Sequence, residues 1–151
     1  MPTGGFLVTS LIVIIQCQIA HNRCSGFACS HSFYERTGRF VDYPQGLRYL
    51  SFTCGGCCGK SVAAKMEHLA RKLREKTDVG VDDVVVHLAS CMVTDNHHYD
   101  RCPHVDYIKA ILAKKGFRNV VEGSFISRTS TELRHRGVYC DYVDGPSAEG
   151  R

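Results

Sequence analysis

The sequence predicts an α/β fold, a single three-layer domain built on a mostly parallel sheet of about four strands. Three observations carry that reading. Apolar β-branched runs alternate with amphipathic segments along the chain. The first run shows no polar alternation, and 151 residues suffice for one such domain but not for two. Strand alternating with helix implies right-handed crossovers, with helices on both faces of an open sheet in a flavodoxin-like or Rossmann-like order. In such sheets ligands bind beyond the carboxyl ends of the strands.

The first strand is residues 11–15, LIVII, a run suited to a strand covered on both faces. A helix follows over 24–37, closed by Gly38. Residues 47–53 form the second strand candidate. The second helix, 59–77, sets Val62, Met66, Leu69 and Leu73 on one face and Lys65, Lys72 and Glu75 on the other, with Gly80 as a stop. Residues 84–89, VVVHLA, are the third strand. Pro103 suits the first position of a third helix, whose stripe of Val105, Ile108, Ile111 and Leu112 ends before Gly116. Residues 120–122 begin a short fourth strand. The domain is expected to occupy 1–142, with 143–151 a disordered tail.

Composition excludes several classes. Hydrophobic residues are 44% and charged residues 23%, which rules out a disordered, collagenous or fibrous chain. A net charge of +4, from 19 basic and 15 acidic residues, is too slight to mark a nucleic-acid binder. The basic residues Lys114, Lys115, Arg118, Arg128, Arg134 and Arg136 lack interleaved aromatics and read as a solvated helix face. No membrane partner is expected, because the apolar stretch 6–15 is too short to span a bilayer. No Lys or Arg precedes Arg23 to open a secretory signal, and Gln16 stands where a lipoprotein signal needs a small residue before Cys17. Nine cysteines make an odd count for a disulfide framework. The chain therefore reads as cytoplasmic with reduced thiols. Its sequence points to no protein partner.

The cysteines fall in a pattern. Cys17, Cys54 and Cys91 end the first three strand runs, while Cys24, Cys57, Cys58 and Cys102 lie where the following helices begin. Cys29 is one turn into the first helix, and His104 is in the first turn of the third. The topology brings all of these to one edge of the sheet. Core cysteines would have no reason to prefer that edge. The densest element is Cys54-Gly55-Gly56-Cys57-Cys58-Gly59-Lys60-Ser61. A C-x-x-C pair presents two thiolates to one tetrahedral ion, and the helix that follows favours thiolate over thiol. With Cys102-Pro103-His104 and Cys24-x4-Cys29 arriving from other crossovers, metal ligation is the stronger reading. The candidate ligands are Cys17, Cys24, Cys29, Cys54, Cys57, Cys91, Cys102 and His104. Tetrahedral N/S coordination suits Zn²⁺, and a thiolate-richer site suits an iron–sulfur cluster.

Cys54-Gly55-Gly56-Cys57 after a strand, His87-Leu88-Ala89-Ser90-Cys91 in the next, and Cys102-Pro103-His104 opening a helix together resemble the CGGC-domain family. The resemblance runs from about Val13 to Ser124 and includes the early cysteines Cys17, Cys24 and Cys29. It implies a zinc-type site built from these Cys and His residues, with no established reaction. Two departures stand out. Many members carry Pro where this chain has Cys58, and Gly-Thr-His where it has Gly123-Ser124-Phe125. The resemblance therefore supplies no histidine ligand from the fourth strand.

Other readings of the same loop remain open. G-x4-G-K-[ST] would need Gly where Cys54 stands, and no strand ends in an Asp for Mg²⁺. C-x5-R-[ST], the loop of cysteine phosphatases and arsenate reductases, fails at Lys60, a point charge where Arg would grip bidentately. A thiol–disulfide pair of Cys54 and Cys57 would leave the other rim ligands unexplained. Whether the chain is an enzyme is undecided by these motifs. His21 and His31 read as solvated, and His87 as a hydrogen-bonded core residue. His97 and His98 sit on a loop able to cover the rim, and Cys140 reads as an incidental thiol.

Overall fold

Leu11–Gln16 forms β1, buried along its whole length. In the computed structural model, which describes residues 9–94 and 100–139, β1 is flanked on both sides by parallel strands. The sheet order is β2-β1-β3-β4, where β2 is Arg48–Thr53, β3 is Val84–Leu88 and β4 is Asn119–Glu122. The register runs Leu11↔Arg48 to Gln16↔Thr53 on one side and Leu11↔Val84 to Ile15↔Leu88 on the other. Val85↔Asn119 to Leu88↔Glu122 adds β4. The two central strands are buried at every residue, whereas edge strand β2 is at best half-buried. That is why LIVII and VVVHL carry no polar alternation.

Successive side chains of β1 serve opposite layers. Leu11, Val13 and Ile15 face a core with Val62, Met66 and Leu73 of α2 (Ser61–Lys76) and Ile108 and Leu112 of α4 (Val105–Lys114). Ile12 and Ile14 face the other core, with Phe33 of α1 (Phe27–Glu35), Phe40, Val85 and Val121. Each fully buried Ile or Phe contributes about 2 kcal/mol of transfer free energy, so both layers are needed. The three-layer α/β domain expected from the sequence is the one formed. No helix among the described residues is long and apolar enough to cross a membrane.

The differences from expectation are local. The first helix starts at Phe27 rather than at residue 24, because Ala20–Asn22 forms a 3-10 turn and Gly26 takes φ 83°. Pro103 precedes the helix it was expected to open; α4 begins at Val105 with His104 as its N-cap. Cys91 lies past β3, in the single-turn helix α3 (Ser90–Val93). A further helix, α5 (Arg128–His135), has no apolar stripe to announce it. Its Arg134 is buried rather than solvated, with its guanidinium on the hydroxyls of Thr94 and Thr131. His87 is the core histidine expected, bonded through Nδ1 to the Gly123 carbonyl and through Nε2 to the Tyr43 hydroxyl. His97, His98, Cys140 and the segment 143–151 lie outside the described residues.

Candidate functional site

The order β2-β1-β3-β4 makes the chain leave β1 toward one side and β3 toward the other, so the crevice expected of an open sheet opens where these two loops part. The ladder extends past the strand ends and fixes the rim. Cys54 N–H donates to the Gln16 carbonyl (2.8 Å), Ala89 N–H to that of Ile15 (2.9 Å) and Gly123 N–H to that of Leu88 (2.7 Å). Cys17, Cys54, Ala89 and Gly123 therefore stand at about one level, each one residue beyond its strand.

Beyond this level the cysteines divide into two groups. Cys17, Cys54, Cys57 and Cys102 line a small hollow of about 20 Å³, room for a single water-sized sphere, with Cys58 and His104 also on its wall. Local sequence explains the convergence. Gly55 and Gly56 hold φ 82° and 108°, conformations in which an L-residue is strained. A Cβ on Gly55 would stand 2.6 Å from the Ser61 side chain, and one on Gly59 2.8 Å from Ile108. The glycines thus press the Cys54–Cys57 turn onto the starts of α2 and α4. Cys102 arrives by another route. Its N–H donates to the Met92 carbonyl (2.9 Å), and Arg101 beside it makes a bidentate pair with buried Glu122 (2.9 and 3.0 Å). Lys109 of α4 adds a third bond to that carboxylate at 2.6 Å. This triad clamps the Cys102 segment to the end of β4, and only the fold brings its members together.

Cys24, Cys29 and Cys91 line a second, larger cavity of about 320 Å³ on the opposite side, with Gln16, Ser124 and Arg134. Cys24 is carried there by the 3-10 turn, where its N–H donates to the Ala20 carbonyl. The Cys29 thiol lies 3.0 Å from the Ser124 hydroxyl, which also accepts from the Ser90 amide at 3.2 Å. His21, expected to be solvated, also lines this cavity, its Nε2 buried and lacking a hydrogen-bond partner among the described residues. His31 is exposed and stacked on Phe27.

Cys17 joins the two groups. Its thiol belongs to the hollow and accepts from the Ala20 amide at 3.5 Å, while its own backbone N–H bonds the Cys91 sulfur. Burial pushes the Cys91 thiol up to about 12, opposed by that amide and reinforced by Cys29, Cys17 and Cys24. Burial also raises Cys102, helped by the neighbouring Cys17, Cys57 and Cys54, while the His104 amide, 3.3 Å from its sulfur, lowers it. A Cys91 proton held that firmly makes it a poor ligand or nucleophile near neutral pH.

Every cysteine among the described residues is a free thiol. The donor chemistry of the hollow, five cysteines beside an imidazole, fits a soft ion. Convergence is partial: among the described residues no three His, Cys, Asp or Glu side chains stand close enough together to hold an ion. Comparison with curated proteins finds no match, and comparison with solved structures finds none either. Against family models the result is definite. Residues 11–125 match the model of the CGGC domain. That span runs from the first residue of β1 to Phe125 on the cavity wall, and the chain belongs to the CGGC domain family.

Proposed function

We propose that the chain is a metal-binding protein whose ion is held by Cys17, Cys54, Cys57 and Cys102 at the carboxyl edge of the sheet. The observation that carries this reading is that these four cysteines, from three separate crossover segments, line one small hollow of about 20 Å³. Backbone amides already point at two of the sulfurs, Cys17 and Cys102, as they do where thiolate charge must be held. Four thiols brought together would repel as thiolates, and a cation at their centre converts that repulsion into attraction. Zinc is the ion this set suits, needing no redox chemistry and accepting tetrahedral sulfur. His104 also lies on the wall of the hollow. Cys24, Cys29 and Cys91, on the larger cavity, are left out of this ligand set. A cytoplasmic location is part of this proposal, since the thiols of such a site must stay reduced.

Metal analysis with an absorption spectrum on anaerobically purified protein tests this reading. Near-stoichiometric zinc with no visible absorption supports it. Brown colour with iron and sulfide would replace zinc by an iron–sulfur cluster on the same thiols. Metal-free protein that reversibly forms a Cys54–Cys57 disulfide would replace it by thiol-redox chemistry, with exposed Cys57 as the attacking sulfur.

A further inference from the structure

Among the described residues β2 is an edge of the sheet, with no strand on its outer side. Arg48 N–H donates to the Ser10 carbonyl (3.4 Å) and Cys54 N–H to that of Gln16 (2.8 Å). A parallel ladder alternates, so Arg48, Leu50 and Phe52 turn their N–H and C=O groups to β1, and Tyr49, Ser51 and Thr53 turn theirs outward. The Lys65 ammonium already donates to the outward Thr53 carbonyl at 2.6 Å. The outward groups of Tyr49 and Ser51 make no hydrogen bond among the described residues. Natural sheets guard such edges with proline, a bulge or lysine on the strand, and RYLSFT has neither proline nor lysine.

Grooves run along both faces of this edge. Leu50 and Phe52 line one of about 480 Å³ with Ala64, Lys65 and Leu69 of α2. Tyr49, Ser51 and Thr53 line the other, about 470 Å³, with exposed Phe27 of α1. The α2 side carries a cation at each end. Arg48, on the same face of β2 as Leu50 and Phe52, is exposed and has no carboxylate partner among the described residues. At the other end Lys65 stands 5.4 Å from the centre of the Phe52 ring, bonded only to a neutral carbonyl. Lys72 pairs with Glu75 and adds no net charge.

We infer that β2 takes an extended segment of a partner protein as a fifth strand, one with an acidic residue two positions before and two positions after an apolar one. Its main chain bonds the outward groups of Tyr49 and Ser51, its apolar side chain covers Leu50, and its acids meet Arg48 and Lys65. Side chains of the opposite parity enter the groove beside Phe27. A second copy of this chain fits badly. Antiparallel pairing of β2 with itself about Ser51 sets Arg48 of each copy beside Lys65 of the other, cation against cation at both ends. Parallel pairing of two copies is head-to-tail and does not close. Binding here needs no metal in the hollow.

The test is titration of the full chain with three acetylated and amidated peptides, TETVTET, TQTVTQT and TKTVTKT, followed by amide chemical shifts and hydrogen exchange, with sedimentation of the chain alone. The expected result is saturable shifts at Tyr49, Ser51 and Thr53 with TETVTET at about 1 mM or below, and slower exchange of the Ser51 amide. TQTVTQT should bind at least about fivefold more weakly and TKTVTKT not at all. Ser51→Pro removes an outward N–H, a place where an edge strand tolerates proline, and should abolish the shifts. Because proline can still disturb the strand, Arg48→Glu at an exposed position is the second arm and should weaken TETVTET by at least about fivefold. Equal binding of the three peptides, shifts confined to other parts of the chain, no response at several millimolar, or unchanged binding in folded Ser51→Pro or Arg48→Glu would each overturn the assignment. A dimer of the chain alone that protects the Ser51 amide would overturn it in favour of a second copy.

Discussion

The two thiol groups meet at Cys17, yet they have little else in common. In the hollow, Cys54, Cys57 and Cys102 stand around a space of about 20 Å³, on a glycine turn and a charge-clamped segment. In the cavity, Cys24, Cys29 and Cys91 are spread along the wall of a space many times larger, among hydroxyls and one buried arginine. Cys91 there holds its proton up to about 12, and Cys29 is engaged by Ser124. The same residue type, at the same edge of the same sheet, thus lines a narrow hollow on one side and a wide cavity on the other. Cysteine position along the strands decides the edge; the crossover each loop follows decides the chemistry.

Removing single thiols should break the symmetry most sharply. Cys54→Ser, Cys57→Ser and Cys102→Ser are each expected to lose most bound metal, because each leaves the proposed four-sulfur set one ligand short. Cys91→Ser and Cys29→Ser should retain it. The measurement is metal content per folded chain, so that unfolding is not mistaken for ligand loss. Equal losses on both sides would merge the two groups into one site.

The supports of the two regions should separate next. Glu122 is fully buried and holds Arg101 and Lys109 beside Cys102. Glu122→Gln leaves two cations facing a neutral amide and should cost about 3 kcal/mol in denaturant unfolding. It should also loosen metal in the hollow while sparing the cavity. His87 supports the other side, holding the Gly123 carbonyl next to Ser124. Burial, aided by nearby Arg39 and opposed by the Gly123 bond, lowers its pKa to about 4. The folded protein therefore keeps His87 neutral while the unfolded chain protonates near 6.5. Stability falls as pH drops from about 6.5 to about 4 and gains no further loss from this group below that. At pH 5 the deficit should be about 2 kcal/mol, read as the difference in pH slope between the native chain and His87→Gln. A native slope no steeper than that of the variant would remove His87 from the account.

Gly59→Ala should have the smallest effect, about 1–2 kcal/mol, from its φ of 90° and a Cβ 2.8 Å from Ile108. Its consequence for the comparison is local: the turn is pushed off α4 and metal is held less tightly, while the cavity is unchanged. Metal affinity and denaturant unfolding of the variant check this, and unchanged metal affinity would separate the turn from the site.

Much of this was legible in the sequence. LIVII and VVVHL could be read as central strands because burial on both faces leaves no polar residue to obscure them, and α2 because its stripe is continuous. The rim was legible because cysteines follow three strand ends. The division into two groups was not, since it depends on which side of β1 each loop turns, a property of sheet order. Glu122 with Arg101 and Lys109 gave no signal, as its members come from separate segments. Arg134 looked like surface charge because α5, RTSTELRH, has Leu133 as its one apolar residue, and its burial comes from packing on the rim rather than from an apolar face. His21 shows the same limit: a lone histidine in a loop carries no pattern.

The central claim is that four sulfurs of one hollow hold the ion. Zinc-edge X-ray absorption on the purified, zinc-loaded chain counts the ligands directly. The account predicts a shell of four sulfurs at about 2.3 Å, reduced to three when Cys57 is replaced by serine and unchanged when Cys91 is. A shell dominated by nitrogen or oxygen, or one that loses a sulfur in Cys91→Ser and keeps all four in Cys57→Ser, would contradict it.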